Sequence, residues 1–317
     1  TKMAEKIIYL DRGFRQEFID KMTELAPNYV IKTELEPTDL MNVEISLGWN
    51  RQYEKELLAS PGLKWVHSIS AGVDTLPLTA FSEKGILLSN GSGIHSESIA
   101  EHIMGVILGY SRGLFQAQKA QAKKEWLGTH VHYQPLEKQK LLIIGTGQIG
   151  KMVAEKADSF SMVSYGINTT GHPVEGFSQT YSLNEVEKVV ADMDIIVNIL
   201  PLTEQTKGFF NYELFKKFAS HALFINVGRG ASLKTADLVQ ALNEEQLAFA
   251  ALDVFEEEPL PEKSPLWEMD QVLITPHIAG LTSDFQNKLM TIFLANLKSY
   301  VTNQELKINE VALKKGY

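Results

Sequence analysis

The stretch Leu141-Leu142-Ile143-Ile144-Gly145-Thr146-Gly147-Gln148-Ile149-Gly150 constrains this chain more than any other. Four consecutive branched apolar residues read as a strand buried on both faces, as in a parallel sheet. The glycines that follow have the G-x-G-x-x-G spacing, which turns a strand sharply into a helix. One glycine permits the tight turn, one lets backbone approach a pyrophosphate, and one lets the helix pack on the strand. The phosphates would sit at the helix N-terminus near Gln148, where free N–H groups and the helix dipole favour an anion. The spacing alone also fits a plain glycine turn, so the rest of the chain has to decide.

It decides for the first reading. Apolar strand patterns recur at 162–167, 195–199, 222–227, 248–252 and 272–275, with helical patterns at 151–160, 183–191, 212–216 and 235–243 between them. That is a doubly wound βα succession starting at Leu141. Ahead of it, strands at 6–10, 29–33, 43–48, 63–68 and 86–89 and helices at 14–25 and 54–59 make a first βα run, which implies a second parallel sheet. Two long helical patterns remain, 94–122 and 281–301. In the first, Ile99, Ile103 and Ile107, with Met104, Leu108 and Phe115, keep one apolar stripe. Ser98-Ile99-Ala100-Glu101 fits a capping box there, and Ser96 could start the helix equally well.

Composition excludes several classes. The 317 residues are enough for two domains on the usual length prior. A formal charge of −9 without basic runs argues against nucleic acid or an anionic membrane as a partner. With no cysteine, disulfides, thiolate nucleophiles and cysteine metal sites are all excluded. No apolar run approaches the roughly 20 residues of a membrane span, and residues 1–11 lack a signal-peptide h-region, so a cytoplasmic protein is expected. His130 and His132 lie in an irregular segment without a third ligand, and no metal is expected.

Three further pieces follow strands: Asn226-Val227-Gly228-Arg229-Gly230, the run from Leu252-Asp253 through Glu256-Glu257-Glu258-Pro259, and Ile274-Thr275-Pro276-His277-Ile278-Ala279-Gly280. Ligands in open α/β sheets bind outside the C-terminal strand edge, where Arg229, Glu258 and His277 would project. Singly, each reads as a solvated surface residue. Together they make a device in which a guanidinium grips a carboxylate or carbonyl, an imidazolium donates a proton, and a carboxylate keeps that imidazolium charged and oriented. Proton and hydride delivery to a 2-oxo acid needs those parts and no metal.

With these pieces in order, the chain resembles the D-isomer-specific 2-hydroxyacid dehydrogenase family over nearly its whole length. Ser70-Ala71-Gly72-Val73-Asp74, Ala100-Glu101-His102 and Leu200-Pro201-Leu202-Thr203 join the glycine loop and the three pieces above in carrying the resemblance. It implies an α/β fold of two doubly wound parallel-sheet domains. A Rossmann cofactor domain, residues 94–282, is inserted into a flavodoxin-like substrate domain, residues 1–93 plus 283–317, with the two long helices as crossings and no further domain after the second. It also implies NAD(P)H-dependent reduction of small 2-oxo acids to D-2-hydroxy acids. Arg229 would bind the substrate carboxylate and carbonyl, His277 would be the acid/base, and Glu258 its partner, chosen over Glu256 and Glu257 because the family's glutamate directly precedes the proline. Backbone N–H groups around Ala71, Gly72 and Val73 would hold the substrate carboxylate, and Trp49, Trp267 and Leu281 are candidates to line the pocket. The cofactor would be held by Gly145, Thr146, Gly147, Gln148, Ile149, Gly150, Asn168, Thr169, Thr170, Leu200, Pro201, Thr206, Val227, Gly228, His277 and Gly280, with Asp253 on the nicotinamide carboxamide. A homodimer through the stripe from Ile99 to Phe115 is expected. The alternatives are a nucleotide-sensing regulator on the same scaffold and a short phosphoglycerate dehydrogenase. Formate dehydrogenase is disfavoured, since that branch has no glutamate at the Glu258 position.

One departure bears on the cofactor. NAD-specific relatives place Asp or Glu where this chain has Asn168, to accept from the ribose 2′-hydroxyl. A carboxylate there would repel a 2′-phosphate, whereas Asn168, Thr169 and Thr170 can donate to it. No arginine lies between Asn168 and Gly176, and His172 is the nearest cation. NADP is therefore expected ahead of NAD.

Overall fold

The computed structural model describes residues 5–314. Residues 1–4 and 315–317, the outermost ends of the range expected for the substrate domain, lie outside the described residues. The chain divides into two compact units, one running up to Ile94 and resuming at Thr282, the other being His95–Leu281.

The first unit begins with β1 (Lys6–Leu10), α1 (Gln16–Leu25), β2 (Tyr29–Lys32), β3 (Val43–Leu47), α2 (Glu54–Ala59), β4 (Trp65–His67), α3 (Leu78–Lys84) and β5 (Leu87–Ser89). The five strands are parallel in the order β2-β1-β3-β4-β5, the flavodoxin-like arrangement. Helix α3 has no counterpart in the sequence reading: it has seven residues and buries only Phe81, too little for a period to register.

The second unit opens with α4 (Ser96–Ser111) and α5 (Leu114–Lys123) in place of the single helix expected over 94–122. The break falls at Gly113, whose φ is +69°; a Cβ there would lie 2.7 Å from the His132 carbonyl oxygen, so only glycine takes this turn. Helix α4 starts at Ser96 with His95 in the cap position, so Ser98 and Glu101 lie inside the helix and form no capping box. Ile103, Met104 and Ile107 are buried against Leu141, Ile143, Ile195 and Val197, with Ile99, Leu108 and Phe115 packed at the margin. The apolar stripe is thus a core face covered by this chain's own sheet.

There follow β6 (Lys140–Ile144), α6 (Gln148–Asp158), β7 (Val163–Asn168), β8 (Gln179–Ser182), α7 (Val186–Val189), β9 (Ile195–Asn198), α8 (Tyr212–Phe215), β10 (Leu223–Asn226), α9 (Thr235–Asn243), β11 (Phe249–Leu252) and β12 (Val272–Ile274). The seven strands are parallel in the order β12-β11-β10-β9-β6-β7-β8, a Rossmann sheet whose direction of growth reverses beside β6. Alternate strand residues go to opposite faces: Leu142, Ile144, Ile196 and Phe224 to one core, Leu141, Ile143, Ile195 and Ile225 to the other. Truncating a ring such as the fully buried Phe224 to alanine costs about 3–5 kcal/mol by lost burial and cavity formation. Strand β8 escaped the sequence reading because Gln179-Thr180-Tyr181-Ser182 is a polar edge strand, half-buried at most. The helix expected over 183–191 is one α turn between two 3₁₀ turns, and its start carries a real capping box between Ser182 and Glu185.

Helix α10 (Phe285–Asn303) belongs to the first unit. It packs Leu289, Met290, Phe293, Leu297 and Tyr300 against Ile8, Leu10, Ile45, Leu47 and Trp65, with the Phe293 and Trp65 rings stacked 5.1 Å apart. Among the described residues no helix is long and apolar enough to cross a membrane.

Candidate active site

In the second unit, strand β6 ends at Ile144 and α6 starts at Gln148, with Gly147 as an N-cap that no side chain fills. A Cβ on Gly147 would meet nothing within 4 Å, so the backbone face of the loop is open to approach. A Cβ on Gly150 would instead run into the Gly145 carbonyl oxygen, so glycine is what lets α6 seat on its own loop. An open backbone cradle at the N-terminus of an eleven-residue helix suits the pyrophosphate of a dinucleotide.

The end of β7 is built around Asn168. Its Nδ2 donates to the His172 carbonyl oxygen at 2.9 Å and to Thr146 Oγ1 at 3.3 Å, while its Oδ1 accepts from Gly171 N at 2.6 Å. Both amide N–H groups are therefore committed inside the loop, and Asn168 shapes this turn instead of offering a free donor. Thr180 Oγ1 braces the same turn through the Gly171 and His172 carbonyls, and Thr170 Oγ1 pairs with His172 Nδ1 at 2.9 Å.

Two asparagines that the sequence reading passed over tie the next loops together. Asn198 Nδ2, at the end of β9, donates to Asn226 Oδ1 at the end of β10 and to Ser232 Oγ. Asn198 Oδ1 accepts from Leu200 N, and Asn226 Oδ1 from Gly228 N. Both are fully buried, so the Leu200-Pro201 and Val227-Gly228 turns are anchored to the core. The signal was available: an asparagine closes each of two otherwise apolar strands. Thr206 Oγ1 donates inward to the Pro201 carbonyl at 2.7 Å, which braces that turn from within.

Arg229 follows β10, half-buried, and its NH1 donates to the Gly228 carbonyl. After β11, Glu258 Oε1 accepts from Phe255 N at 3.0 Å and Glu258 Oε2 lies 2.7 Å from His277 Nδ1. Of the three consecutive glutamates, Glu256 instead accepts from Thr235 N, so Glu258 is the one turned to the histidine. A carboxylate only accepts, so His277 Nδ1 carries a proton and Nε2 is left as the exchanging nitrogen. His277 follows β12 on a left-handed backbone, φ +54°, a conformation that costs an L-residue about 1–2 kcal/mol. Asp253, 3% exposed, lies beneath this loop. His102 is nearby with Nε2 3.5 Å from Thr275 Oγ1; burial lowers its pKa and the charge of Asp253 partly opposes that.

In the first unit, the turn after β4 holds Ala71, Gly72 and Val73. Asn90 Nδ2 donates to the Ala71 carbonyl and Arg51 NH2 to the Thr75 carbonyl, with Val73 buried and Ala71 and Gly72 exposed. Trp49 is half-buried, its Nε1 on Glu54 and its ring edge-on to Phe81. In the second unit Trp267 Nε1 donates to the Pro261 carbonyl, and Leu281 is exposed. The Ala71–Val73 turn and the Arg229, Glu258 and His277 set thus lie in different units. His130 Nδ1 bonds the Leu127 carbonyl and the His132 ring packs on Tyr110 at 4.6 Å, so both serve local structure.

Residues 104–279 match the NAD binding domain of the D-isomer specific 2-hydroxyacid dehydrogenases. Glyoxylate/hydroxypyruvate reductase A of Yersinia enterocolitica is 32% identical over 88% of this chain and 89% of its own. Phosphoglycerate dehydrogenase of Lactobacillus plantarum is 38% identical, with a TM-score of 0.59 over 96% of this chain and all of that one. An NADPH-dependent glyoxylate/hydroxypyruvate reductase of Sinorhizobium meliloti, crystallised with NADP and sulfate, is 26% identical with a TM-score of 0.82 over 98% of this chain and all of that one.

Proposed function

The chain belongs to the D-isomer specific 2-hydroxyacid dehydrogenase family, and from that premise we propose that it is a cytoplasmic reductase of small 2-oxo acids to D-2-hydroxy acids, using NADPH in preference to NADH. The observation that carries this reading is the 2.7 Å pairing of His277 Nδ1 with Glu258. It occurs at the C-terminal edge of the same sheet whose β10 ends beside Arg229. The bound dinucleotide supplies a hydride to the carbonyl carbon. His277 Nε2 gives its proton to the carbonyl oxygen as charge develops there, and Glu258 stabilises the imidazolium until it does. The Arg229 guanidinium holds carboxylate and carbonyl oxygen in a planar fork, and the Ala71–Val73 turn supplies peptide N–H groups to the carboxylate. In this reading the unit containing residues 1–93 and 283–317 carries the substrate and residues 94–282 the cofactor.

The NADPH preference is supported by the absence of a carboxylate at position 168 and by the hydroxyls of Thr169 and Thr170 beside it. The Sinorhizobium relative, named NADPH-dependent, points the same way. A two-fold homodimer also belongs to the proposal. Leu114 and Trp126, 57% and 97% exposed on and just after α5, are apolar surface that pairing would cover.

A second reading concerns the substrate. Arg51, in the 3₁₀ turn after β3, reaches the carboxylate-binding turn but has a neutral carbonyl as its partner there, which favours a 2-oxo acid with a second anionic group. The test is oxidation of NADPH and NADH against glyoxylate, hydroxypyruvate, its 3-phosphate, pyruvate, phenylpyruvate and branched 2-oxo acids. Turnover of at least one with formation of the D-hydroxy acid is expected. Turnover of none would end the reductase reading in favour of a nucleotide-sensing one.

A further inference from the structure

We infer that Asp253 and Thr275 are positioning residues that latch the 275–279 loop in the backbone conformation presenting His277 for proton transfer, an inference that rests on His277 being the proton donor. The left-handed φ at His277 is one that a residue with a Cβ leaves unless its surroundings over-determine it. The two peptide groups that follow do this. Ile278 N donates to Asp253 Oδ1 at 2.9 Å and Ala279 N to Asp253 Oδ2 at 3.0 Å, so one carboxylate spans both. The Thr275 hydroxyl, two residues before His277, donates to Asp253 Oδ1 at 2.6 Å, and His277 N closes the turn on the Thr275 carbonyl at 3.0 Å. The carboxylate is itself fixed, because Asp253 N donates to the Asn226 carbonyl at the end of β10.

The chemistry selects aspartate. Both oxygens accept from peptide N–H groups on opposite sides of the carboxylate, so an amide would set an N–H against an N–H at one of them. With only 3% exposure, the charge is tolerable because three donors converge on it. The remaining lone pair on Oδ2 leaves room for the carboxamide contact that the family resemblance implies, and the two roles are separable. Thr275 bonds the side of the carboxylate that serves the loop. Since its proton goes to Asp253, its Oγ1 accepts only from a protonated His102 Nε2, 3.5 Å away. The titratable groups around the latch are thus Asp253 and His102 beneath it and Glu258 on the His277 ring.

Thr275→Val, which keeps shape and deletes one charge-assisted hydrogen bond, should lower kcat about tenfold, the size of such a bond. NADPH affinity, read by nucleotide fluorescence, should stay within about twofold. Thr275→Ser should restore kcat. Asp253→Asn should lose more than Thr275→Val, and if it fails to fold the threonine pair still decides. A second readout is independent of turnover: the His277 ring resonance, assigned with His277→Ala, should titrate at lower pH in Thr275→Val because the relaxed loop loosens the ring from Glu258. An unmoved titration, or affinity for NADPH that weakens in step with kcat, would overturn the latch. A moved titration with unchanged kcat in both Thr275→Val and His277→Ala would uphold the latch and remove the proton-donor reading instead.

Discussion

The two sheets each carry a histidine at or just beyond the C-terminal end of a strand, and the two are held in opposite ways. His67 closes β4 in the first sheet, fully buried, edge-on to the rings of Trp65 and Phe293. Trp65 Nε1 donates to Ser89 Oγ, so the Ser89 proton goes to His67 Nδ1, 2.6 Å away, and the imidazole proton sits on Nε2, which has no partner. Burial pushes its pKa down to about 3. His277 follows β12 in the second sheet with 55% of its side chain exposed, a carboxylate on Nδ1 and Nε2 left for exchange. The difference teaches that burial without a charged partner turns a histidine into a core residue, whereas exposure plus a fixed carboxylate turns it into a proton donor.

The largest expected effect lies on the second histidine. His277→Ala should lose roughly 10²–10⁴-fold in kcat, the usual contribution of a general acid, with cofactor affinity nearly intact. A loss below about threefold would erase the contrast between the two sites.

Next comes the acid response of the first. His67 has a folded-state pKa below its ordinary value of about 6.5, so between about pH 6.5 and 3 the unfolded chain binds more protons than the folded one. Stability is then lost as pH falls through that window, by about 1.4 kcal/mol per pH unit. Urea unfolding at pH 6.5 and 4.5 should show this loss, and His67→Gln should remove about 2–3 kcal/mol of it between those two values. Equal pH slopes in the two proteins would mean that His67 is not held neutral by burial.

A smaller effect concerns a polar group whose partners are internal, as those of His67 are, but which faces a ligand loop. Asn168→Asp should move the kcat/KM ratio toward NADH by about tenfold, roughly 1.4 kcal/mol. Because the Asn168 amide also braces the 168–172 turn, Asn168→Ala separates charge from scaffold: it should shift the ratio less. Equal shifts would assign discrimination to loop shape alone.

The two parallel sheets were legible because both-face burial writes itself as runs such as Leu141–Ile144, and the glycine loop because helix, turn and strand must touch there. Arg229, Glu258 and His277 were legible as residues in order after strands. What escaped depends on partners distant in sequence. The pairing of Asn198 with Asn226 joins two strand ends, and the engagement of Asn168 makes it a brace where residue type alone reads as a donor. The Ile99–Phe115 stripe shows the same limit: periodicity marks an apolar face but not whether a partner chain or this chain's own sheet covers it. Helix α3 and strand β8 were too short or too polar to carry a period, and the break at Gly113 comes from a close approach to His132 that no local pattern encodes.

The central claim is that the Glu258 carboxylate makes His277 the proton donor, and the pH dependence of 2-oxo acid reduction in Glu258→Gln tests it most directly. Glutamine keeps an acceptor for Nδ1–H and removes the charge that favours the imidazolium. The alkaline limb of reduction should move to lower pH by about one unit, a roughly tenfold loss of rate above it, with NADPH affinity unchanged. Superimposable profiles in the wild-type and Glu258→Gln proteins would contradict it.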